Sequence, residues 1–351
     1  MIPGDIGREL GLRAGATWRP APPGTAAAPG TYATSLPFRL AAATGREPGE
    51  VAAELSARLG PVPWIAAASV TGGGYLTVTV TPGALAALAV RVPAAGAACA
   101  ASDALRGTCL TAPAGADLAS AGSWPQAWAL VTATMTGRLA AAAGATVKLR
   151  KDTERMSSPE VAAPAEARPG PERPSPDPSA PAAAVALAGA EPVSYALARR
   201  AVPAGPADPE ACVRNIVDNP FFLVRYAHAS AASVLRWAAD LGVSRGGAAE
   251  FQPGLLVHPD ERELLGAISW LPERVAAAAR RRRPGAFLRY LESLARSWLG
   301  CTERCPALPF GGRSAPREEP GTAARLWLAA AAQTALAAGL SLAGVQAPQR
   351  L

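Results

Sequence analysis

At 351 residues the chain is long enough for two domains, each with its own hydrophobic core. Half of its residues are hydrophobic, but many of these are alanine and only 5% of the chain is aromatic. The net charge of +7 permits a polyanionic partner without requiring one, and five scattered cysteines with no signal peptide argue against a secreted disulfide framework. We therefore expect reduced thiols and a cytoplasmic protein.

The N-terminal part predicts a small α/β domain over residues 31–92. Residues 1–30 are rich in Pro, Gly and Ala, so we expect a flexible lead-in there. Apolar positions between 35 and 59 fit two helices, and Pro48 can open the second. Alternating side chains over residues 65–80 predict two strands joined by a glycine turn.

The middle of the chain predicts little regular structure. Residues 93–158 are interpreted as a connecting region in which 94–115 are loop, Trp124–Ala143 form a helix and Thr146–Arg150 form an edge strand. Residues 159–190 are a Pro/Ala-rich linker, because their composition cannot bury a core.

Residues 191–351 predict an all-α bundle, so the fold class of the whole chain is α+β. Its central helix runs from Asn219, a favourable N-cap, to Gly242, a favourable left-handed end. The helices expected to follow are Pro259–Arg280, Pro284–Leu299 and Ala323–Ala338. The stripe of the central helix expected to be buried contains Leu223, Ala227, Ser230, Val234, Trp237 and Leu241, and a separate cationic stripe contains Arg225, His228, Ala232 and Arg236.

Two features that suggest other classes of protein are better explained within this bundle. Leu326–Val345 is uncharged and about the length of a membrane span, but it is mostly alanine and predicts a buried helix. Cys301 and Cys305 suggest a metal site, yet His228 and His258 are the only histidines and no second paired motif exists. We therefore expect neither a membrane nor a metal ion as a partner.

Several motifs follow one another in the order and spacing of a known family. They include NPFFLVRYAHA at Asn219–Ala229, HPDERELLGAISWLPE at His258–Glu273 and the closing APQRL. On these residues the C-terminal part resembles the DALR-type anticodon-binding domain of arginyl-tRNA synthetases. Tyr32–Ala41, Gly45–Leu55 and Gly72–Gly83 resemble the additional N-terminal domain of the same enzymes. The resemblance implies surfaces for tRNA at both ends of the chain.

The catalytic signatures of that family are missing or degenerate. Its Rossmann domain carries an HIGH-type motif and a KMSK-type loop, but both histidines here lie in the C-terminal half. Val147–Ser158 resembles the strand and loop of the second signature, with Arg155, Met156, Ser157 and Ser158 in place of KMSK. The missing lysines remove charges that would stabilise a triphosphate. We predict no catalytic residues and no cofactor.

Charge and resemblance together indicate candidate RNA contacts. Arg280–Arg283 end one helix, where the alternative is a solvated helix end. His228 is either a packing residue or a contact. Tyr75 keeps an aromatic of the family, whereas Thr77 replaces an asparagine. The whole candidate set is Tyr75, Thr77, Arg225, Tyr226, His228, Arg236, Arg280, Arg281, Arg282, Arg283, Arg289, Arg296, Trp298, Arg350 and Leu351.

Three functions remain open on the sequence. The first is a non-catalytic relative of arginyl-tRNA synthetase that binds tRNA, with an arginine tRNA as the expected species. The second is a protein-interaction or regulatory module derived from the synthetase, which predicts a protein partner and indifference to RNase. The third is arginine–tRNA ligase activity itself, which predicts arginine-dependent exchange of pyrophosphate into ATP.

Overall fold

The computed structural model describes residues 2–11, 18–20, 29–115, 117–150, 180–203, 205–308 and 320–351. These parts contain fourteen α-helices, six strands and several short 3-10 turns. The predicted α+β class, with a helical C-terminal part, is confirmed. The degenerate KMSK-like loop and most of the expected linker lie outside the described residues, and the domain boundaries stay predictions.

The N-terminal unit is a four-stranded antiparallel sheet with helices packed on one face. Its strands run in the order β1-β2-β4-β3. Leu76, Val78 and Val80 alternate with more exposed residues along β4, as predicted, and are buried under α2 and α3. The elements are α1 (Ile2–Glu9), β1 (Trp18–Pro20), β2 (Thr31–Thr34), α2 (Leu36–Thr44), α3 (Pro48–Leu59), β3 (Ile65–Thr71) and β4 (Tyr75–Val80).

The start of the chain differs from the expected flexible lead-in. Ile2–Glu9 form a helix, and Ile2 and Ile6 are buried in the core. Trp18 is also buried and begins a short strand that pairs with β2. These apolar residues are too few to give a periodic signal, but each buries a large side chain on folding.

A parallel strand pair occupies the middle of the described chain. Strands β5 (Cys109–Pro113) and β6 (Thr146–Arg150) flank helix α6 (Trp124–Ala142), after the short helices α4 (Pro82–Ala86) and α5 (Leu88–Ala95). The predictions for α6 and β6 are confirmed. The prediction of a loop over residues 94–115 is wrong at β5. The sequence CLTAP has no alternating pattern, and its strand is stabilised by pairing with the distant β6.

Eight helices make up the C-terminal part. They are α7 (Pro181–Ala188), α8 (Ala190–Arg199), α9 (Pro209–Val213), α10 (Pro220–Asp240), α11 (Pro259–Ser269), α12 (Leu271–Arg280), α13 (Pro284–Arg304) and α14 (Pro320–Ala343). The single helix expected over 259–280 is instead two, broken at Trp270, because Pro272 cannot donate the next backbone hydrogen bond. Helix α7 lies inside the expected linker, where alanine after a first-turn proline favours a helix.

Two segments have the length and hydropathy of a membrane span, Pro82–Ala100 and Gly321–Ala343. The second segment is 72% buried within the protein. This burial is typical of a core helix in a bundle and agrees with the buried helix predicted over Leu326–Val345. The first is divided into α4, α5 and a 3-10 turn and is 39% buried. Length and composition are the only features that these segments share with a membrane span.

The sheet and the bundle share one hydrophobic core. The Tyr32 hydroxyl, on β2, donates to the hydroxyl of Ser269 at 2.8 Å, and its ring lies 5.1 Å from that of Trp270. Tyr32 is completely buried, and this burial raises the pKa of its phenol. The hydroxyl is therefore a neutral donor that joins the sheet to the end of α11.

Gly285 lies where α13 begins beside the end of α8. A Cβ at this position would lie 2.8 Å from the carbonyl oxygens of both Ala198 and Arg199. We expect Gly285→Ala to lower the free energy of unfolding by about 1–3 kcal/mol, because backbone atoms must move apart. Urea denaturation measures the change, with Gly49→Ala as a control because open space surrounds Gly49. Equal losses in the two variants would contradict the expectation.

Candidate nucleic-acid interface

Helix α10 begins as the sequence predicts. The Asn219 side-chain oxygen accepts from the Phe221 backbone N–H at 3.1 Å, and its amide donates to the carbonyl of Cys212 at 3.0 Å. The helix ends before Gly242, whose φ of +69° is left-handed. Asn219 therefore fixes both the start of α10 and the chain that leads into it.

The buried face of α10 is not the predicted stripe. Leu223 and Ala227 are buried, but Trp237 and Leu241 are 57% and 55% exposed. Leu241 lies about five turns after the buried Leu223 on the same side, so this side is covered near the start of α10 and exposed at its end, where residues 239–242 are all exposed. The prediction that Trp237 and Leu241 are buried is wrong.

An aromatic stripe results on the exposed side of α10. Phe222 and Tyr226 are one turn apart and their rings stack at 5.6 Å with an interplanar angle of 12°. Trp237 and Leu241 continue the same side at helical spacing. Exposed aromatic rings can stack on unpaired bases. Of these four residues, only Tyr226 is in the candidate set. The signal for the other three is that they lie on the side of α10 with the fewest alanines.

The predicted cationic stripe is partly covered by the end of the chain. His228 is 1% exposed, and its Nδ1 lies 2.9 Å from the carbonyl oxygen of Pro348. Arg236 donates to the carbonyl of Gln349 at 2.6 Å. Of the two roles considered for His228, packing is the one that its burial fits. The stripe is therefore not an open cationic face.

Helix α12 ends in the four-arginine run. Arg283 N–H donates to the Ala278 carbonyl and Arg282 N–H to the Ala279 carbonyl, each at 3.0 Å, which is a Schellman ending. Arg282 has a φ of +52°, a left-handed conformation that glycine adopts at no steric cost. An arginine there costs about 1 kcal/mol relative to glycine. Local stability alone therefore does not explain the arginine.

The run is exposed and has no carboxylate partner among the described residues. Arg280, Arg281, Arg282 and Arg283 are all exposed, and none forms a salt bridge in that part of the chain. Unpaired guanidinium groups on a surface suit phosphate, which accepts two hydrogen bonds from one arginine.

Helix α13 places its predicted residues on opposite sides. Arg289 and Arg296 are exposed, and Arg289 donates to the Arg199 carbonyl at 3.2 Å. Trp298 is 3% exposed and lies in the hydrophobic core, so it offers no stacking face to RNA. The interface expected around Trp298 is therefore not formed, because the apolar side of α13 faces the bundle.

A buried ion pair holds α13 against α8. Glu292 is 3% exposed and accepts two hydrogen bonds from Arg199, at 2.8 and 3.1 Å. The hydroxyl of Tyr195 lies 3.5 Å from the same carboxylate. Burial, and then the charge of Glu292, raise the pKa of Tyr195 well above its usual value. The guanidinium therefore remains the group that balances the Glu292 charge.

The N-terminal candidates lie on the open side of β4. Tyr75 is 39% exposed and its ring meets Phe38 edge-on at 5.0 Å. The Thr77 hydroxyl lies 2.9 Å from that of Thr71 on the neighbouring strand. At the other end of the chain, Arg350 and Leu351 are exposed. The RNA-contacting roles of all these residues stay predictions.

Comparison with known proteins shows what the C-terminal helices resemble. Residues 224–351 match the family model described as the DALR anticodon binding domain. This part of the chain resembles such a domain, and we refer to it as the DALR domain. It includes most of α10 and all of α11 to α14, with the four-arginine run and every residue of the aromatic stripe except Phe222.

The relatives found by sequence are arginine–tRNA ligases. That of Clavibacter sepedonicus is 42% identical over 134 residues, which are 38% of this chain and 23% of the relative. That of Frankia alni is 38% identical over 164 residues, or 46% of this chain and 29% of the relative. The chain therefore spans less than a third of the length of these curated relatives.

A solved structure shares the fold. The arginyl-tRNA synthetase of Thermus thermophilus aligns with a TM-score of 0.59 and 17% identity, over 99% of this chain and 98% of that one. At this identity the match supports the fold alone. It agrees with the predicted resemblance of the chain to arginyl-tRNA synthetases.

The DALR domain also contains a group that could ligate a metal ion. Ligand atoms of His258, Asp260 and Cys305 lie within 4.8 Å of one another. Arg304 already donates to both Asp260 oxygens at 2.5 and 2.7 Å, which lowers the pKa of that carboxyl. Burial raises the pKa of the Cys305 thiol. Sequence reasoning missed this group, because it considered paired cysteines and not the approach of α11 to α13.

His228 gives the DALR domain a pH dependence whose sign can be worked out. Burial lowers its pKa below the usual 6.5, and the bond to Pro348 opposes this only in part. The unfolded chain therefore binds this proton more tightly, so stability is present above pH 6.5 and is lost as the pH falls. We expect the urea midpoint to fall less between pH 7.5 and pH 5 in His228→Gln than in the parent. Equal falls would contradict this.

Proposed function

We propose that this protein binds tRNA through its DALR domain, with an arginine tRNA as the species, and that it does not aminoacylate it. The observation that carries the proposal is the match of residues 224–351 to an anticodon binding domain, together with an exposed arginine run inside that match. Phosphate contacts supply most of the affinity of such a surface, and stacking on unpaired bases adds to it.

Two surfaces of the DALR domain support RNA binding in different ways. Arg280–Arg283, with Arg289 and Arg296 on the next helix, provide exposed cations that form no salt bridge in the described part of the chain. The aromatic stripe of α10, which contains Tyr226 and Trp237, provides rings. An anticodon loop offers both phosphates and unstacked bases, so it can use both surfaces.

The absence of aminoacylation is proposed on the sequence of these 351 residues. An HIGH-type motif needs histidines, and His228 and His258 both lie within the DALR match. His228 bonds the Pro348 carbonyl and His258 caps α11. Arginine-dependent exchange of pyrophosphate into ATP tests this part, and we expect no exchange above background. Measurable exchange that requires arginine would contradict it.

A filter-binding titration tests the RNA part. Full-length protein is titrated against labelled arginine tRNA and against an unrelated tRNA at several salt concentrations between about 50 and 200 mM. We expect binding that weakens linearly in log–log form, and tighter binding to the arginine species. No binding at the lowest salt would rule out the proposal, and equal affinity for both species would rule out its specificity.

A protein partner is the second candidate, and one observation favours it. Trp237 and Leu241 are large apolar side chains one turn apart and more than half exposed. Such pairs are common at protein interfaces. Affinity capture before and after RNase treatment distinguishes the two candidates: a partner retained by the parent after RNase and lost in Trp237→Ser supports the protein surface.

A further inference from the structure

A nitrogen, an oxygen and a sulfur meet where the start of helix α11 lies beside the end of helix α13. Ligand atoms of His258, Asp260 and Cys305 are all within 4.8 Å of one another. His258 is the N-cap of α11, Asp260 lies in its first turn, and Cys305 directly follows α13. Imidazole, carboxylate and thiolate are the side-chain groups that bind Zn²⁺ in proteins. The junction is therefore a candidate zinc site, separate from the surfaces proposed to bind RNA.

The spacing of His258 and Asp260 suits a cation between them. Nδ1 of His258 lies 3.2 Å from Oδ2 of Asp260, and it also accepts from the Asp260 backbone N–H at 3.3 Å. A ring nitrogen that accepts a hydrogen bond carries no proton, so it cannot donate to the carboxylate and the two lone pairs repel each other. Tetrahedral Zn²⁺, with bonds of about 2.1 Å to nitrogen and oxygen, holds such atoms about 3.4 Å apart. An ion bound there would turn the repulsion into two metal bonds.

A second sulfur lies beside Cys305. Cys301 is one turn earlier on the chain, and both residues are buried. Burial raises the pKa of both thiols, and a hydrogen bond from the Cys301 thiol to the Cys305 sulfur raises the pKa of Cys301 further. This bond holds the two sulfurs next to each other. A spacing of three residues between cysteines is common in zinc sites, so Cys301 can supply the fourth ligand.

Arg304 supports such a site rather than blocking it. Its guanidinium donates to Oδ1 of Asp260 at 2.7 Å and to Oδ2 at 2.5 Å. A carboxylate oxygen has two lone pairs, so Oδ2 can bind a metal ion while it accepts from Arg304. Two thiolates and one carboxylate carry one more negative charge than Zn²⁺ balances, and the guanidinium balances the remainder. Charged groups just outside the ligands commonly orient them in this way.

The first turn of α11 is fixed in place but open to solvent on one side. The His258 backbone N–H donates to Oε2 of Glu261 at 2.9 Å, and Glu261 is completely buried and paired with Arg325. The side chains of His258 and Asp260 are 43% and 17% exposed. An ion can therefore enter from the His258 side and reach sulfurs that lie deeper.

We propose that four side chains at this junction bind one Zn²⁺ ion in a structural site: His258, Asp260, Cys301 and Cys305. Each thiol forms a Zn–S bond and releases its proton to solvent, while Nδ1 and Oδ2 donate lone pairs, so no electron is transferred. The proposal replaces the expectation, drawn from the sequence, that no metal ion binds. That expectation did not include the approach of α11 to α13. The site does not rest on tRNA binding.

Metal titration of the full-length protein tests the proposal. The protein is reduced with a phosphine and freed of metal with EDTA, and Zn²⁺ is then titrated in competition with a chromophoric chelator. We expect one Zn²⁺ per chain with a Kd below about 1 μM. Co²⁺ in place of Zn²⁺ should give the intense visible bands of tetrahedral coordination and a near-ultraviolet charge-transfer band from sulfur. Absence of one-to-one binding, or a Co²⁺ spectrum without the sulfur band, overturns the proposal.

Matched variants separate metal binding from folding. His258→Asn removes the imidazole but keeps a residue that is favoured at an N-cap, and we expect Zn²⁺ to bind at least tenfold more weakly. Cys301→Ser and Cys305→Ser should each lose at least tenfold in affinity. Cys109→Ser, which changes an exposed cysteine outside the group, should bind as the parent does.

Stability provides a second readout of the same site. Zn²⁺ should raise the urea midpoint of the parent and of Cys109→Ser, but not that of Cys305→Ser, because the ion stabilises only a folded chain that binds it. Midpoints measured in EDTA show whether each variant still folds. Equal Zn²⁺ affinity in Cys305→Ser and Cys109→Ser, or unchanged affinity in His258→Asn, overturns the proposal.

Discussion

Replacement of Arg199 by methionine is expected to lower the free energy of unfolding by about 3 kcal/mol at pH 7. Arg199 donates two hydrogen bonds to Glu292, which is 3% exposed on its side chain. Without the guanidinium, the carboxylate stays buried beside the Tyr195 hydroxyl and loses the partner of both of its charge-assisted hydrogen bonds. Removing one partner of such a pair lowers the free energy of unfolding by more than the intact pair adds to it. Urea denaturation measures the loss.

The cause of that loss can be identified by removing the carboxylate as well. Glu292 bears the only carboxylate that Arg199 bonds in the described chain, so replacing both residues removes the pair without leaving a buried charge.

Two further variants separate the effect of charge from that of packing. Arg281→Met, which changes an exposed arginine at the end of α12, should stay within about 0.5 kcal/mol of the parent. The double variant Arg199→Met with Glu292→Leu should recover most of the stability, because no buried charge is left unpaired. A double variant as unstable as the single one would show that packing rather than charge is responsible.

Replacement of Arg280, Arg281 and Arg283 by alanine is expected to weaken tRNA binding by about 10- to 100-fold near 0.1 M salt. The three side chains are exposed at the end of α12 and form no salt bridge in the described chain. Each arginine that neutralises a phosphate also releases counterions, so the slope of log affinity against log salt should fall by about one for each phosphate no longer neutralised. A filter-binding titration over salt gives both quantities.

The matched control removes the same charge elsewhere. Arg8, Arg46 and Arg106 are exposed, and each already pairs with a carboxylate. Their replacement by alanine should change the affinity much less, since their charge is balanced within the protein. Equal weakening in the two triple variants would show that net charge, and not the four-arginine run, determines binding.

Local chemistry accounts for the parts of the fold that the sequence predicts well. Asn219 and Pro220 specify the start of α10 within a few residues, and alternation over residues 75–80 specifies β4. Strand β5 could not be predicted in this way, because its residues have no alternating pattern and pair with β6 more than thirty positions later. Strands β1 and β2 depend on the same kind of distant pairing.

The site was predicted in part for the same reason. Charge can be read directly from the sequence, so the exposed four-arginine run was found. Periodicity shows which side of α10 is apolar but not where along the helix its cover ends, so Trp237 and Leu241 at the exposed end were predicted to be buried. The cover over His228 comes from Pro348, 120 residues away. No local pattern contains that contact.

The bond between Tyr32 and Ser269 has a mechanical consequence. It lies in a core shared by the sheet and the bundle, with Trp270 packed against the same ring. The two ends of the molecule cannot swing apart without opening that core, so the distance from Tyr75 to the arginines of α12 is set in advance. The N-terminal sheet and the end of α12 therefore stay at a fixed distance from each other. A polynucleotide that contacts both must have a shape that covers this distance.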